Sequence, residues 1–432
     1  MGKSMIVWFK SISIGGGGVP WLRIGLLIVC LAAGCSTGSE YDVLGEQEND
    51  GSGDAGNGGT GGAAGQDGNG HAGDGGTGGA GGTAGESGSG GEQELTYTTA
   101  LVITKDRQTG SYSTIALEGH AVEMDINTIH SNSICEFDPV TKTPFIVQRL
   151  GVDSILVLDP ENLAIVKEYS VEPGSNPHGL AVVAEDRAYI TRYGLDQMLI
   201  VEPLTGTEFG TVDLSEYADD DGIPESSGMA YLDGKIYVLI DRLDRDNDWT
   251  PVGDSYLVII DAYTGDIEDE VELSKTNPYG APEYSQAIGK FVLAEADDFS
   301  TLEGGIELFD PSDNSLSGII VTEQELGGNV TKALIVSETK GYATIGVKGD
   351  DGNNTHIVTF NPETGEKLDT LLEAEGWSYS DMMLIPNGTE LWIADRTSDN
   401  PGVRILDTET DREITDDPID VGLQPFAICF AP

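Results

Sequence analysis

From about residue 95 onward, apolar and polar positions alternate in short runs rich in Val, Ile, Leu, Tyr and Phe, interrupted by Gly, Asn, Asp and Pro. Such alternation sends successive side chains to opposite faces of an extended strand, and the interruptions supply the turns. No segment after residue 95 carries helical periodicity. The runs group into copies whose first strands align at Ile134, Leu180, Met229, Ala281, Leu334, Met382 and Ile428, about 46 to 53 residues apart. Each copy holds four strands. The pattern predicts an all-β, seven-bladed β-propeller of four-stranded antiparallel blades.

A turn marks the hairpin between third and fourth strands, clearest in Ile260-Asp261-Ala262-Tyr263-Thr264-Gly265 and Phe360-Asn361-Pro362-Glu363-Thr364-Gly365. Its Asp or Asn bonds nearby backbone and its Gly supplies positive φ, so these acids are structural rather than catalytic. The seventh copy has only its first strand, Pro425–Phe430, before the chain ends. Its missing strands are found at the start of the domain, in 100–104 and 112–117, so pairing of N- and C-terminal strands closes one blade and removes an open edge. Second strands place Leu101, Phe145, Tyr189, Tyr237, Phe291, Tyr342 and Trp392 in register. A residue repeated once per blade serves packing between blades rather than a binding stripe.

The N-terminal part is built differently. Lys3, Lys10 and Arg23 precede an apolar run from Ile24 to Leu31 and then small residues, the layout of a secretory signal and too short a run to span a bilayer. Leu31-Ala32-Ala33-Gly34-Cys35 resembles the lipobox of bacterial lipoproteins. That resemblance implies acylation of Cys35 and cleavage before it, and Ser36 implies sorting to the outer membrane. From Ser36 to Glu94 the chain is dominated by Gly, Ala, Ser, Thr, Asn, Asp and Glu, a composition that cannot repay the entropy of ordering. As a flexible tether it reaches about 40 to 46 Å. The expected organisation is a signal peptide over 1–34, a lipidated Cys and Gly-rich disordered linker over 35–94, and the propeller over 95–432.

Charge narrows the partners. The 432 residues carry 74 acids against 22 bases, a net charge of -52, which repels phosphate backbones and excludes nucleic acid. Expected partners are the membrane through Cys35 and an envelope protein, peptide or glycan, with the propeller itself monomeric. Asn176-Pro177-His178-Gly179-Leu180-Ala181-Val182 and Gly422-Leu423-Gln424-Pro425-Phe426-Ala427 resemble the YVTN-type seven-bladed propellers of bacterial exported and surface proteins. Ser226-Ser227-Gly228 and Thr331-Lys332-Ala333 depart from that pattern by lacking proline. The resemblance implies fold more strongly than function.

In a propeller, the loops entering first strands and leaving second strands share one face around the channel mouth, where binding residues belong. The candidates ahead of first strands are Asn132, His178, Ser227, Tyr279, Lys332, Ser380 and Phe426. Those after second strands include Arg192, Arg242 and Arg396, guanidinium groups suited to a carboxylate-bearing or sugar-like ligand. The competing expectation is that these arginines are consumed in salt bridges between blades. A lactonase-type hydrolase, with His178, Arg192 and Arg242 as its candidate residues, is the alternative function, and a structural envelope component a third.

No cofactor is expected apart from a calcium candidate at Asp244, Asp246 and Asp248. There Trp249 and Ser255 replace the Gly and Glu that an EF-hand requires at positions six and twelve. The other acidic loops, at Asp219–Gly222 and Asp350–Asn353, read as solvated. Five His, one of them in the linker, offer no transition-metal cluster. Cys135 and Cys429 align on neighbouring first strands, and an exported protein invites a disulfide. Inner strands of adjacent blades do not pair, however, so the expected separation exceeds bridging distance and both are expected to be buried free thiols.

Overall fold

The computed structural model describes residues 97–138, 140–245, 247, 249–349 and 353–431. Cys35, the signal segment and the linker lie outside the described residues, as do Asp246, Asp248 and Asp350–Gly352. Seven four-stranded antiparallel sheets form the blades of a propeller. Blade 1 comprises Ser133–Asp138, Thr143–Gln148, Ser154–Leu158 and Ile165–Ser170, from axis to rim. Blades 2 to 6 follow with inner strands Pro177–Ala184, Ser226–Leu232, Glu283–Ser285, Asn329–Ser337 and Tyr379–Leu384. Ala281 lies just before its inner strand rather than within it. Among the described residues the helices are the single turns Ser215–Tyr217 and Glu323–Leu326, and no helix is long and apolar enough to cross a membrane.

Blade 7 takes its inner strand, Gln424–Ala431, from the C-terminus and its other three, Thr99–Lys105, Gly110–Ala116 and Val122–Ile129, from the start of the domain. Leu101 faces Cys429, Val102 faces Ile428 and Ile103 faces Ala427 across the closing ladder. The ring is therefore shut by main-chain hydrogen bonds between its two ends.

The second-strand residues are all buried, as packing between blades requires. Tyr237, Phe291 and Phe309 gather across blades 3 and 4, with the first two ring centroids 4.7 Å apart. Tyrosine hydroxyls within this packing reach the marker turns of the next blade. Tyr189 donates to the Ala262 carbonyl at 3.0 Å and Tyr342 to the Asp411 carboxylate at 2.7 Å. The aromatic positions and the turns, separate signals in the sequence, thus join adjacent blades.

The cysteine expectation is corrected. Cys135 and Cys429 form a disulfide across the inner strands of blades 1 and 7, with Cα atoms 6.0 Å apart, inside the bridging range. Inner strands converge on the axis more closely than the spacing of whole blades suggests. At blades 3 and 4 the approach is close enough for the Gly228 amide to donate to the Gly280 carbonyl at 3.1 Å, and a Cβ on Gly228 would meet that oxygen at 2.1 Å.

Candidate functional site

Of the residues expected ahead of first strands, only Asn132 and Tyr279 precede them; His178, Ser227, Lys332, Ser380 and Phe426 lie within the inner strands, which begin earlier than the alternation suggests. The starts of inner strands and the ends of second strands lie at the same end of the blades, and their polar side chains are bonded mainly to one another. Asn132 is buried and accepts Arg149 Nε and Nη2 at 2.9 and 2.6 Å. Arg192 is buried and bridges Glu172 at 2.7 Å. Ser227 donates to Asp241 at 2.7 Å, both buried. Ser380 donates to the Phe426 carbonyl at 3.0 Å, tying blade 6 to blade 7. The Phe426 ring carries the Lys105 ammonium 3.7 Å from its centroid and the Arg396 guanidinium at 5.6 Å. Tyr279 packs edge-on against Phe299 at 5.9 Å.

Lys332 sits between blades 4 and 6, within 3.0 Å of Glu283 and 2.9 Å of Asp381. Burial works against its charged amine, but the two carboxylates outweigh it and hold the amine above the usual range. Glu136, from blade 1, joins this group. Burial, then the nearby Glu283, pushes its carboxyl up to about 8. Four inner strands thus contribute charge to one point in the channel. The cavity beside it, lined by Tyr279, Glu283 and Lys332 among others, holds about 30 Å³, room for little more than a water.

A second cluster is not apparent from the sequence. His178 stacks on Tyr193 with centroids 4.3 Å apart, and Tyr193 on Trp249 at 6.2 Å. Trp249 stands on an extra hairpin of blade 3, formed by Leu243–Asp244 and Thr250–Pro251. Arg245, from the same hairpin, donates to Glu225 and to the Tyr193 carbonyl, both at 2.7 Å, and lies over the Tyr193 and Trp249 rings. Alternate acids are what stand out in the sequence of this segment, whereas its arginine and tryptophan make the contacts described. Among the described residues no group of three or more His, Cys, Asp or Glu side chains is arranged for a metal ion. Burial, then the Arg149 charge, holds the His178 imidazole far below its usual value and therefore neutral.

Acids at this end are buried too. Burial raises Glu225 to about 7 despite Arg245, and raises Asp241 well above its usual range. Glu295, at the end of a second strand, is pushed up to about 10 by burial and by Glu307 beside it.

Arg242 departs from the others. Its backbone has φ of 57°, in the left-handed region, and its side chain lines a cleft on blade 3 with Glu216, Tyr217, Tyr256 and Glu270.

No family model matches the chain, and no curated protein matches it. Solved structures do. A candidate 6-phosphogluconolactonase of Bacteroides uniformis aligns at 15% identity with a TM-score of 0.55, over 78% of this chain and 99% of its own. A protein from Lactobacillus plantarum gives 13% and 0.54, over 78% and 100%. Kuenenia stuttgartiensis hydrazine synthase gives 15% and 0.53, over 72% and 92%. At these identities the likeness establishes the shared propeller fold and carries no activity across.

Proposed function

We propose that this chain is an exported, lipid-anchored propeller of the YVTN type that presents its channel-mouth face to a protein, peptide or glycan of the cell envelope. The observation that carries the reading is a set of half-buried rings at that end of the blades: His178 and Trp249 on blades 2 and 3, Tyr279 on blade 4 and Phe426 on blade 7. Aromatic side chains with arginine beside them are the usual anchors of a binding face. The small axial cavity favours a surface partner over an enclosed substrate. The lipobox at Leu31–Cys35 and the Gly-rich linker support anchoring away from the bilayer, and the disulfide suits an oxidising compartment.

The lactonase alternative draws less support. Arg192 spends its charge on Glu172, His178 stacks on Tyr193, and Arg242 lines a separate cleft.

Photo-crosslinkers placed at Trp249 and Phe426 in envelope preparations are expected to trap a discrete partner, while one at the exposed outer-strand residue Phe209 is not. Equal trapping at all three positions overturns the binding face. Acyl labelling is expected to vanish in Cys35→Ser, and labelling that persists removes the anchor.

A further inference from the structure

The cleft around Arg242 is distinct from the channel mouth. Glu216 and Tyr217 come from the single helical turn between blades 2 and 3, Arg242 follows the second strand of blade 3, and Tyr256 and Glu270 belong to its outer two strands. Its volume is about 260 Å³, just under the range of drug-sized pockets and suited to a small molecule. The two tyrosine rings lie 5.7 Å apart at 51°. Tyr217 donates its hydroxyl to Glu270 at 2.7 Å.

Arg242 supplies the cation of the cleft. Its guanidinium donates through Nη1 to the Asp254 carbonyl at 3.1 Å and lies 5.9 Å over the Tyr256 ring, with no carboxylate in ion-pair range among the described residues. Arg192, Arg245 and Arg404 are each paired with an acid, whereas Arg187, like Arg242, donates to a main-chain carbonyl. Arg242 thus keeps a positive charge unneutralised by any acid among the described residues, in a chain of net charge -52, and its left-handed backbone is of a kind that gathers at ligand sites. Glu216 and Glu270 are exposed on the same cleft. The cleft therefore offers one cation and two anions that do not neutralise each other, beside two aromatic faces.

We propose that this cleft binds a small zwitterion, an α-amino acid or short peptide. Its carboxylate would lie on Arg242, its ammonium between Glu216 and Glu270, and its apolar part against Tyr217 and Tyr256. Charge decides between ligand classes. A net anion such as a sugar acid meets both glutamates and the field of the whole chain, whereas a zwitterion carries no net charge into it.

Isothermal titration calorimetry on the purified full chain with L-leucine and L-phenylalanine tests this, with D-glucuronate and D-glucose as the contrasting arms. Saturable binding of the amino acids is expected, weakened about 10-fold or more in Arg242→Gln through loss of a charge-assisted pair. Glu270→Gln should weaken it less. Retention of binding in His178→Ala keeps this site separate from the mouth, so either reading can fail alone. Should Arg242→Gln not fold, Glu216→Gln at the exposed rim supplies the same comparison. No saturable heat from either amino acid up to about 10 mM, a weak-affinity limit, or binding of the sugars instead, overturns the proposal.

Discussion

At the hairpins joining third and fourth strands, Asp261, Asp310 and Asp407 accept hydrogen bonds from backbone or side chains two and three residues ahead, which hold their carboxyls below the usual range. At the opposite end of the blades, Glu225, Asp241 and Glu295 are buried, and burial pushes theirs up. Residue type is shared; environment differs. The hairpin acids are served by near neighbours in sequence, while the buried acids are enclosed by segments brought together only when the ring forms. One end of each blade is thus locally determined, and the other depends on the assembled ring.

The contact between the most distant residues should give the largest effect. Cys135→Ser with Cys429→Ser removes a link spanning 294 residues and is expected to cost about 2–5 kcal/mol in equilibrium denaturant unfolding. A loss no greater than that of a hairpin variant would mean that the link between the chain's two ends contributes no more than a local turn. Asp241→Ala strips Ser227 of its acceptor and should cost about 1–3 kcal/mol, whereas Asp241→Asn, which keeps a neutral hydrogen-bonding group, should cost less than half as much. Equal losses would mean that the carboxylate charge matters after all.

Titration sharpens the contrast, because the two populations act in opposite directions. Carboxyls raised in the folded state contribute stability that is complete below about pH 4.5 and is lost as pH rises through their folded values, about 7 for Glu225 and about 10 for Glu295. Hairpin carboxyls held low contribute stability above their unfolded value and lose it as pH falls. Thermal unfolding is therefore expected to show greatest stability near pH 5 and a decline toward pH 9, since a tenfold change in a carboxyl's proton affinity on folding is worth about 1.4 kcal/mol. Glu295→Gln should flatten the decline, and an unchanged slope would remove Glu295 as its source. The smallest effect belongs to the hairpins. Gly265→Ala forces a side chain into a φ of 80° at a cost of about 1 kcal/mol, and Asp261→Ala should lower the melting temperature less than Asp241→Ala does.

Part of the candidate site is legible in the sequence. His178, Lys332 and Phe426, in the first half of inner strands, and Tyr279, just ahead of one, follow from position in the repeat, because that position is a matter of counting along the chain. Their partners do not. Arg245 and Trp249 lie in a segment notable for its acids, and nothing in its pattern shows that a hairpin carries them to Tyr193. Arg242 follows a second strand and so groups with the mouth in the sequence, yet its side chain lines the cleft with Glu216, Tyr217, Tyr256 and Glu270.

The four strands of each blade, the seven copies, the marker turns and the blade shared by both termini can be read along the chain. These rest on alternation every two residues and on hydrogen bonds over two or three residues, interactions short enough to be written in order along the chain. Only the tertiary structure decided which charges neutralise one another and which cysteines meet. Lys332 reaches Asp381 across 49 positions, and Cys135 reaches Cys429 across 294. Such distances follow from how tightly seven twisted sheets converge on a common axis, a property of the closed ring that no single repeat encodes.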